Sequence, residues 1–258
     1  MSVDACAALV ERGDPDRFAA TMAAPVAARA RLWPLYAFNL EIARAPYASP
    51  EPLVAEMRLQ WWVDMTGAMA AGQGGVTGDV AQCLAQVVAQ TGLPAGLLVG
   101  MAEARRWEVW TEPFADAAHF ADYLDATAGN LMWAAALALG AGAGAEPVVR
   151  DFAWGAGLAN WLRALPELAA KGRKPLVDGR ASAVQALARD GLARIAAARA
   201  NRHLLARTAV PALWPGFAAR ALLKQALAEP DRVAEGRLQI SDFQRSSALI
   251  GRAMMSYW

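Results

Sequence analysis

Few side chains in this sequence have the types and spacing that chemistry demands. Asp122 and Asp125 lie three positions apart, which sets two carboxylates on one helix face. Such a pair offers hard oxygens to a divalent cation, but it equally describes a solvated helix start. The two histidines, His119 and His203, have no His or Cys partner at metal-binding spacing, so structural or surface roles are expected for both. Cys6 and Cys83 form neither a CxxC motif nor a disulfide framework, and a reducing compartment follows. Lys171, Arg173 and Lys174 gather in one turn and are candidate anion-binding residues; cations compensating a helix C-terminus are the alternative. The Gly72–Gly78 stretch lacks the Gly-Lys-Ser/Thr of a phosphate loop, and no nucleophile elbow or Cys/His pairing occurs. No metal site and no catalytic residue are assigned from the residues alone.

The elements that must position these groups are helices. Apolar residues make up 56% of the chain, much of it Ala, and strand-like alternation of Val, Ile and Thr is nearly absent. An all-α fold follows: one domain over residues 1–258, of about ten helices. The central element is Arg31–Arg44, where Leu32, Leu35, Tyr36 and Asn39 recur at helical spacing with few charges between. Pro34 predicts a kink or a late start in it. A helix over Pro52–Ala71 follows, with Leu53, Met57, Trp61 and Met65 or Val63 as its expected buried stripe and Glu56, Gln60 and Asp64 in line at i, i+4. Arg105, Arg106 and Glu108 predict a partly exposed end to a helix reaching about Trp110. Further helices are expected from Asp116 to Leu139, Glu146 to Ala170, Ala181 to Arg207, Pro211 to Pro230, and from Ser241, a good N-cap, to the end. Met254, Met255, Tyr257 and Trp258 read as an exposed apolar tail suited to a protein or membrane-surface contact.

Formal charge is +1, which gives no field drawing the chain to nucleic acid. The first residues, Met-Ser-Val-Asp-Ala-Cys, have neither a basic n-region nor an apolar core, so no signal or transit peptide is expected. The charge-free run Ala126–Ala145 is mostly Ala and Gly and breaks at Gly140, which favours a buried central helix over a membrane span. A cytoplasmic protein is expected, with peripheral contact at the inner membrane as the further option.

Tyr36-Ala37-Phe38, followed by Arg58-Leu59-Gln60-Trp61-Trp62, resembles the squalene/phytoene synthase family. The likeness extends through residues 120–140, where Tyr123 precedes Ala128-Gly129, and through 158–173, where Asn160, Leu162, Arg163, Glu167, Ala169, Gly172 and Arg173 fit. Residues 204–215 and 237–252 are similar more loosely. The resemblance implies an isoprenoid-synthase-type bundle whose members condense two prenyl diphosphates head to head, with two aspartate-rich motifs holding Mg²⁺. Laid on this sequence, those acids fall on Ala43, Arg44, Tyr47, Ala164 and Leu168. Glu41 and Glu167 are the nearest substitutes; the helical period points Glu41 about 200° away from Ala43, and Glu167 is expected on a flank. Candidate cavity-lining residues are Tyr36, Phe38, Asn39, Tyr123, Asn160 and Arg163.

Asn39, where the synthases carry Cys, and Leu40, where they carry Arg, are closer to a branch that includes the mitochondrial assembly factor of respiratory complex I. The first expectation is therefore a binding or assembly protein without prenyl-transfer activity, with a protein partner in respiratory complex assembly and no cofactor. The second is a diverged prenyl-diphosphate synthase, for which alone Mg²⁺ would be needed. The third is an isoprenoid or lipid carrier with an open apolar cavity.

Overall fold

A computed structural model describes residues 2–110, 112–255 and 257–258. All regular structure among them is helical, as the composition predicts. Asp14 separates α1 (Val3–Gly13) from α2 (Pro15–Met22) and caps the second. Its carboxylate accepts from the Arg17 backbone N–H at 3.0 Å and from Arg17 Nε at 2.9 Å, while Pro15 fills the first helical position, where a missing N–H costs nothing.

The central helix α3 (Val26–Arg44) starts directly after Pro25, and Pro34 lies within it without delaying that start. Leu32 through Leu40 and Ile42 are all buried, so its middle has no solvent face. A 3₁₀ turn, Ala45–Tyr47, carries the chain to α4 (Pro52–Ala70). There the expected stripe is reversed. Leu53 is 71% exposed and Met57 64%, while Ala55, Leu59, Trp62, Thr66 and Met69 face inward. Both faces of α4 are apolar, and periodicity cannot choose between them. The bundle takes the face on which Ala55 permits close approach and Thr66 can satisfy its hydroxyl on Trp62 O at 2.8 Å.

The chain continues through α5 (Asp79–Thr91), α6 (Gly96–Ala104) with a 3₁₀ extension at Arg105–Glu108, and α7 (Ala117–Leu124). The helix expected to run unbroken to Leu139 is interrupted by a π turn, Asp125–Gly129, before α8 (Asn130–Ala138). Then come α9 (Glu146–Ala170) and α10 (Ala181–Ala200), which stops short of the predicted Arg207. Pro211 and Pro215 remove two N–H donors, and Arg207–Gly216 is accordingly a 3₁₀ segment. The last helices are α11 (Ala219–Ala228), α12 (Asp231–Ala234) and α13 (Asp242–Met255). Ser241 caps α13 as expected, in a box: Gln244 N–H donates to Ser241 Oγ at 3.2 Å and Ser241 N–H to Gln244 Oε1 at 3.1 Å.

Of the predicted apolar tail, Met254 and Met255 are exposed, but its end is not free. Trp258 is only 6% exposed and packs edge-on against Phe152 at 4.9 Å, and Trp214 Nε1 donates to Tyr257 O at 3.1 Å. α1, α5 and α8 pack on α3, and Arg31 Nη1 reaches Ala138 O at 3.0 Å to tie α3 to α8. α9 packs along α10 and α11, where Gly155 lies against Ile195 and the Gly191 carbonyl. Among the described residues no helix is long and apolar enough to cross a membrane.

Burial acts to raise the Asp14 pKa, but the Arg17 charge and hydrogen bonds outweigh it and hold it below the usual 3.8. A lowered folded-state pKa contributes stability above the unfolded value and loses it as pH falls through the folded value. Asp14→Asn keeps a capping oxygen and removes the charge. It should cost about 0.5–1 kcal/mol near neutral pH, and the two proteins should converge as pH falls below the ordinary Asp value. Urea unfolding between pH 7 and pH 2 measures this, and a constant gap over that range would contradict it.

Candidate functional site

The ends of α1, α3, α4, α7 and α9 surround a cavity of about 1530 Å³. Each helix contributes what its position dictates. α3 is buried until its last turns, so the residues it presents there are Asn39, Leu40, Glu41, Ala43 and Arg44, and the 3₁₀ turn adds Tyr47. α4 contributes its outward apolar face, Val54, Met57 and Trp61, together with Arg58. The π turn turns Thr127 and Ala128 toward the same space, and Thr127 Oγ1 stays satisfied on Tyr123 O at 2.6 Å.

Of the residues singled out in the sequence, Asn39, Tyr123, Asn160, Arg163 and Lys171 line this cavity. Tyr36 lines a small adjoining one of about 40 Å³, shared with Arg17 and Asn160, and its buried hydroxyl has no partner. Phe38 lines neither. It is fully buried and packs edge-on against Trp62 at 5.0 Å, because the α3 face it occupies is covered by α4. The basic turn is divided. Lys171 pairs with Glu167 at 2.7 Å and lies 4.3 Å from the Tyr47 ring centre. Arg173 turns away to the Trp110 and Val109 carbonyls, and Lys174 is exposed outside the cavity.

The five positions onto which the resemblance lays the family's acids, Ala43, Arg44, Tyr47, Ala164 and Leu168, all line the cavity. So do Glu41 and Glu167, which helical geometry alone had directed elsewhere; the cavity is wide enough to reach the sides of both helices. Four of the five lining carboxylates are engaged. Asp14 holds Arg17, Glu167 holds Lys171, and Asp16 lies between Arg163 at 2.9 Å and Arg245 at 3.2 Å. Glu108 is the fourth, and Glu41 has no such partner among the described residues. No group of three or more His, Cys, Asp or Glu side chains among the described residues is placed to hold a metal ion. Asp125 is drawn to Arg150 at 2.9 Å, Asp122 is exposed, and both histidines are exposed.

Glu108 was expected on an exposed helix end and is instead the centre of a buried polar cluster. Its side chain is 4% exposed and that of its partner Arg105 16%. It accepts from Arg105 Nη1 at 2.5 Å, Tyr123 Oη at 2.5 Å and Tyr47 Oη at 3.0 Å. Burial first, and then the Glu108 charge, push both phenols well above their ordinary range, so they remain donors. Burial works against the Arg105 charge and Glu108 more than restores it. The signal in the sequence is Tyr47 and Tyr123, whose hydroxyls need a partner inside an apolar bundle. Next to it, Arg106 bonds Glu56, Gln60 and Glu103, which fastens the predicted i, i+4 line of α4 to α6.

Removing Glu108 would leave the Arg105 charge buried without its counterion. Glu108→Ala should cost about 3 kcal/mol in urea unfolding, and Glu108→Gln, which keeps an acceptor oxygen, distinctly less. Equal small losses would mean that the cluster contributes little.

The comparisons with known proteins bear on the family and the fold. The squalene/phytoene synthase family model matches residues 10–177. The fold is similar to that of a dehydrosqualene synthase solved in complex with ligand, with 14% identity, a TM-score of 0.82, and 99% of this chain and 97% of that one covered. It is also similar to squalene synthase HpnC from Alicyclobacillus acidocaldarius, with 15% identity, a TM-score of 0.72, and 88% and 93% covered. At these identities the likeness is one of fold. Among curated proteins no sequence matches the chain. With its family model spanning well over half of its length, the chain belongs to the squalene/phytoene synthase family.

Proposed function

We propose that this chain is a binding member of its family, holding a long apolar ligand of the isoprenoid class in the cavity without carrying out prenyl transfer. One observation carries the reading: Ala43, Arg44, Tyr47, Ala164 and Leu168 line the cavity and bring no carboxylate to it. Departure of a diphosphate leaves concentrated negative charge beside a carbocation, and the family's chemistry neutralises it with Mg²⁺. Mg²⁺ needs carboxylate oxygens in near-octahedral array. Alanine and leucine supply none, Arg44 repels the ion, and four of the five acids nearby are already paired with arginine or lysine. The residues present do not fit the metal, so no step through it follows.

The same walls suit an apolar tail. Val54, Met57, Trp61, Leu124 and Leu131 line a volume above the about 300–1,000 Å³ of ordinary ligand pockets. Each buried methylene contributes about 0.8 kcal/mol. Farnesol should therefore bind the full chain, measured by calorimetry, and Ala164→Trp should abolish binding while the far-UV circular dichroism is retained. Farnesyl and geranylgeranyl diphosphate with Mg²⁺ or Mn²⁺ should give no diphosphate release. Turnover that fell on changing a cavity residue would overturn the reading in favour of a diverged synthase.

A protein partner in respiratory complex assembly is the second reading, favoured by the apolar stripe Phe243, Ile250 and Met254 left exposed on α13. Tagged chain from its native cells should retain complex I subunits, and Phe243→Ser with Ile250→Ser should lose them. Retention unaffected by the double change would remove α13 from the interface.

A further inference from the structure

Seven cationic side chains line the cavity, and they are not equivalent. Arg17, Arg105, Arg163, Lys171 and Arg245 each face a carboxylate within 4.0 Å. Arg44 and Arg58 make no hydrogen bond or ion pair to any other described residue, and both are exposed to the cavity side. Resting on the binding role proposed above, we infer that Arg44 and Arg58 grip the anionic head of the ligand directly, with no metal ion between, and that this ligand is a phosphate-headed amphiphile.

Arg44 lies over the α1–α2 corner. A Cβ at Gly13 would lie 2.5 Å from Arg44 Nη2 and 2.9 Å from Leu40 Cδ1, so the guanidinium rests against Gly13, and a larger residue there would displace the mobile end of the Arg44 side chain. Arg58 sits on α4 one turn after Val54 and one turn before Trp61, among the side chains offered to an apolar tail. Head and tail contacts therefore adjoin on one helix face. Among the described residues Glu41 is the one lining carboxylate without a partner, one turn before Arg44, and it leaves these unpaired groups with an excess of positive charge. A guanidinium presents a planar fork of donors that matches two oxygens of a phosphate, and it needs no divalent ion to do so. The sign of the metal effect is thereby inverted. Mg²⁺ would compete with the two arginines for the phosphate oxygens and weaken binding, where an acid-lined cavity would need it.

The test is calorimetric titration of the full chain in EDTA with farnesol, farnesyl phosphate, farnesyl diphosphate and inorganic diphosphate, repeated with Mg²⁺. Farnesyl diphosphate should bind at least about tenfold tighter than farnesol, the equivalent of one charge-assisted hydrogen bond. Mg²⁺ should reduce that advantage. Arg44→Gln with Arg58→Gln, two exposed positions, should erase it while farnesol affinity stays within about twofold. Farnesol and its diphosphate binding alike, tighter binding with Mg²⁺, or an unaffected double variant would each overturn the clamp and leave the apolar cavity standing. Binding of inorganic diphosphate without farnesol would keep the clamp and overturn the tail site. Co-sedimentation with phosphatidic acid vesicles separates the two sources of the head group: pelleting lost in the double variant assigns the clamp to a bilayer lipid, and tight farnesyl phosphate binding without pelleting assigns it to a free isoprenoid phosphate.

Discussion

A helix with no solvent face dictates where everything else must go. From Leu32 to Ile42, α3 buries nearly every side chain, including Tyr36 and Phe38, and each large residue so buried stabilises the fold by about 1.5–3 kcal/mol. That return exists only if α1, α4, α5 and α8 enclose it, and small residues let them come close: Ala134, Ala135 and Ala136 on α8 are wholly buried. Enclosure ends where α3 ends. One side of its last turns, carrying Asn39, Ala43 and Arg44, faces a space that no neighbouring helix fills, and the cavity is the consequence.

How much of this could be read in advance follows from which signals are local. The all-helical class and the centrality of Arg31–Arg44 are written in composition and in a run of apolar residues, and the helices form there. Asn39, Tyr123, Asn160 and Arg163 come from three helices, α3, α7 and α9, and all four line one cavity. What could not be read is each case where two local solutions compete and tertiary contact decides. α4 is apolar on two faces, and Leu53 and Met57 lost to Leu59 and Trp62. Glu108 looked solvated because its neighbours Arg105 and Arg106 are charged, yet two tyrosines from distant parts of the chain draw it inside. Trp258 looked loose because nothing in the sequence pairs it with Phe152, 106 positions earlier.

The charges around the cavity are sorted by depth. Tyr47, Arg105, Glu108 and Tyr123 form a set in which both hydroxyls and both charges are paired, an arrangement that low local dielectric strengthens, while the buried Arg105 Nε is left without an acceptor. Asp16 holds α13 to α9 through Arg245 and Arg163. These pairs brace the walls from behind and leave little net charge there. The residual positive charge sits at the rim, on Arg44 and Arg58, where water can solvate it until an anion replaces the water.

On the proposed reading, that division lets a cavity of this shape stand without a metal. Adjacent carboxylates with no cation between them repel, and one of each pair is driven to take a proton. A bundle carrying two such clusters is strained whenever its ions are absent. With Ala43, Ala164 and Leu168 the walls carry no such repulsion, and Tyr47 does more than remain neutral, because its hydroxyl completes the coordination of Glu108. The interactions that brace the walls are made by the chain's own side chains. On the proposed reading, the scaffold therefore keeps its opening as an intrinsic property of the packing, and an anionic ligand meets fixed guanidinium groups in place of an ion that has first to be captured.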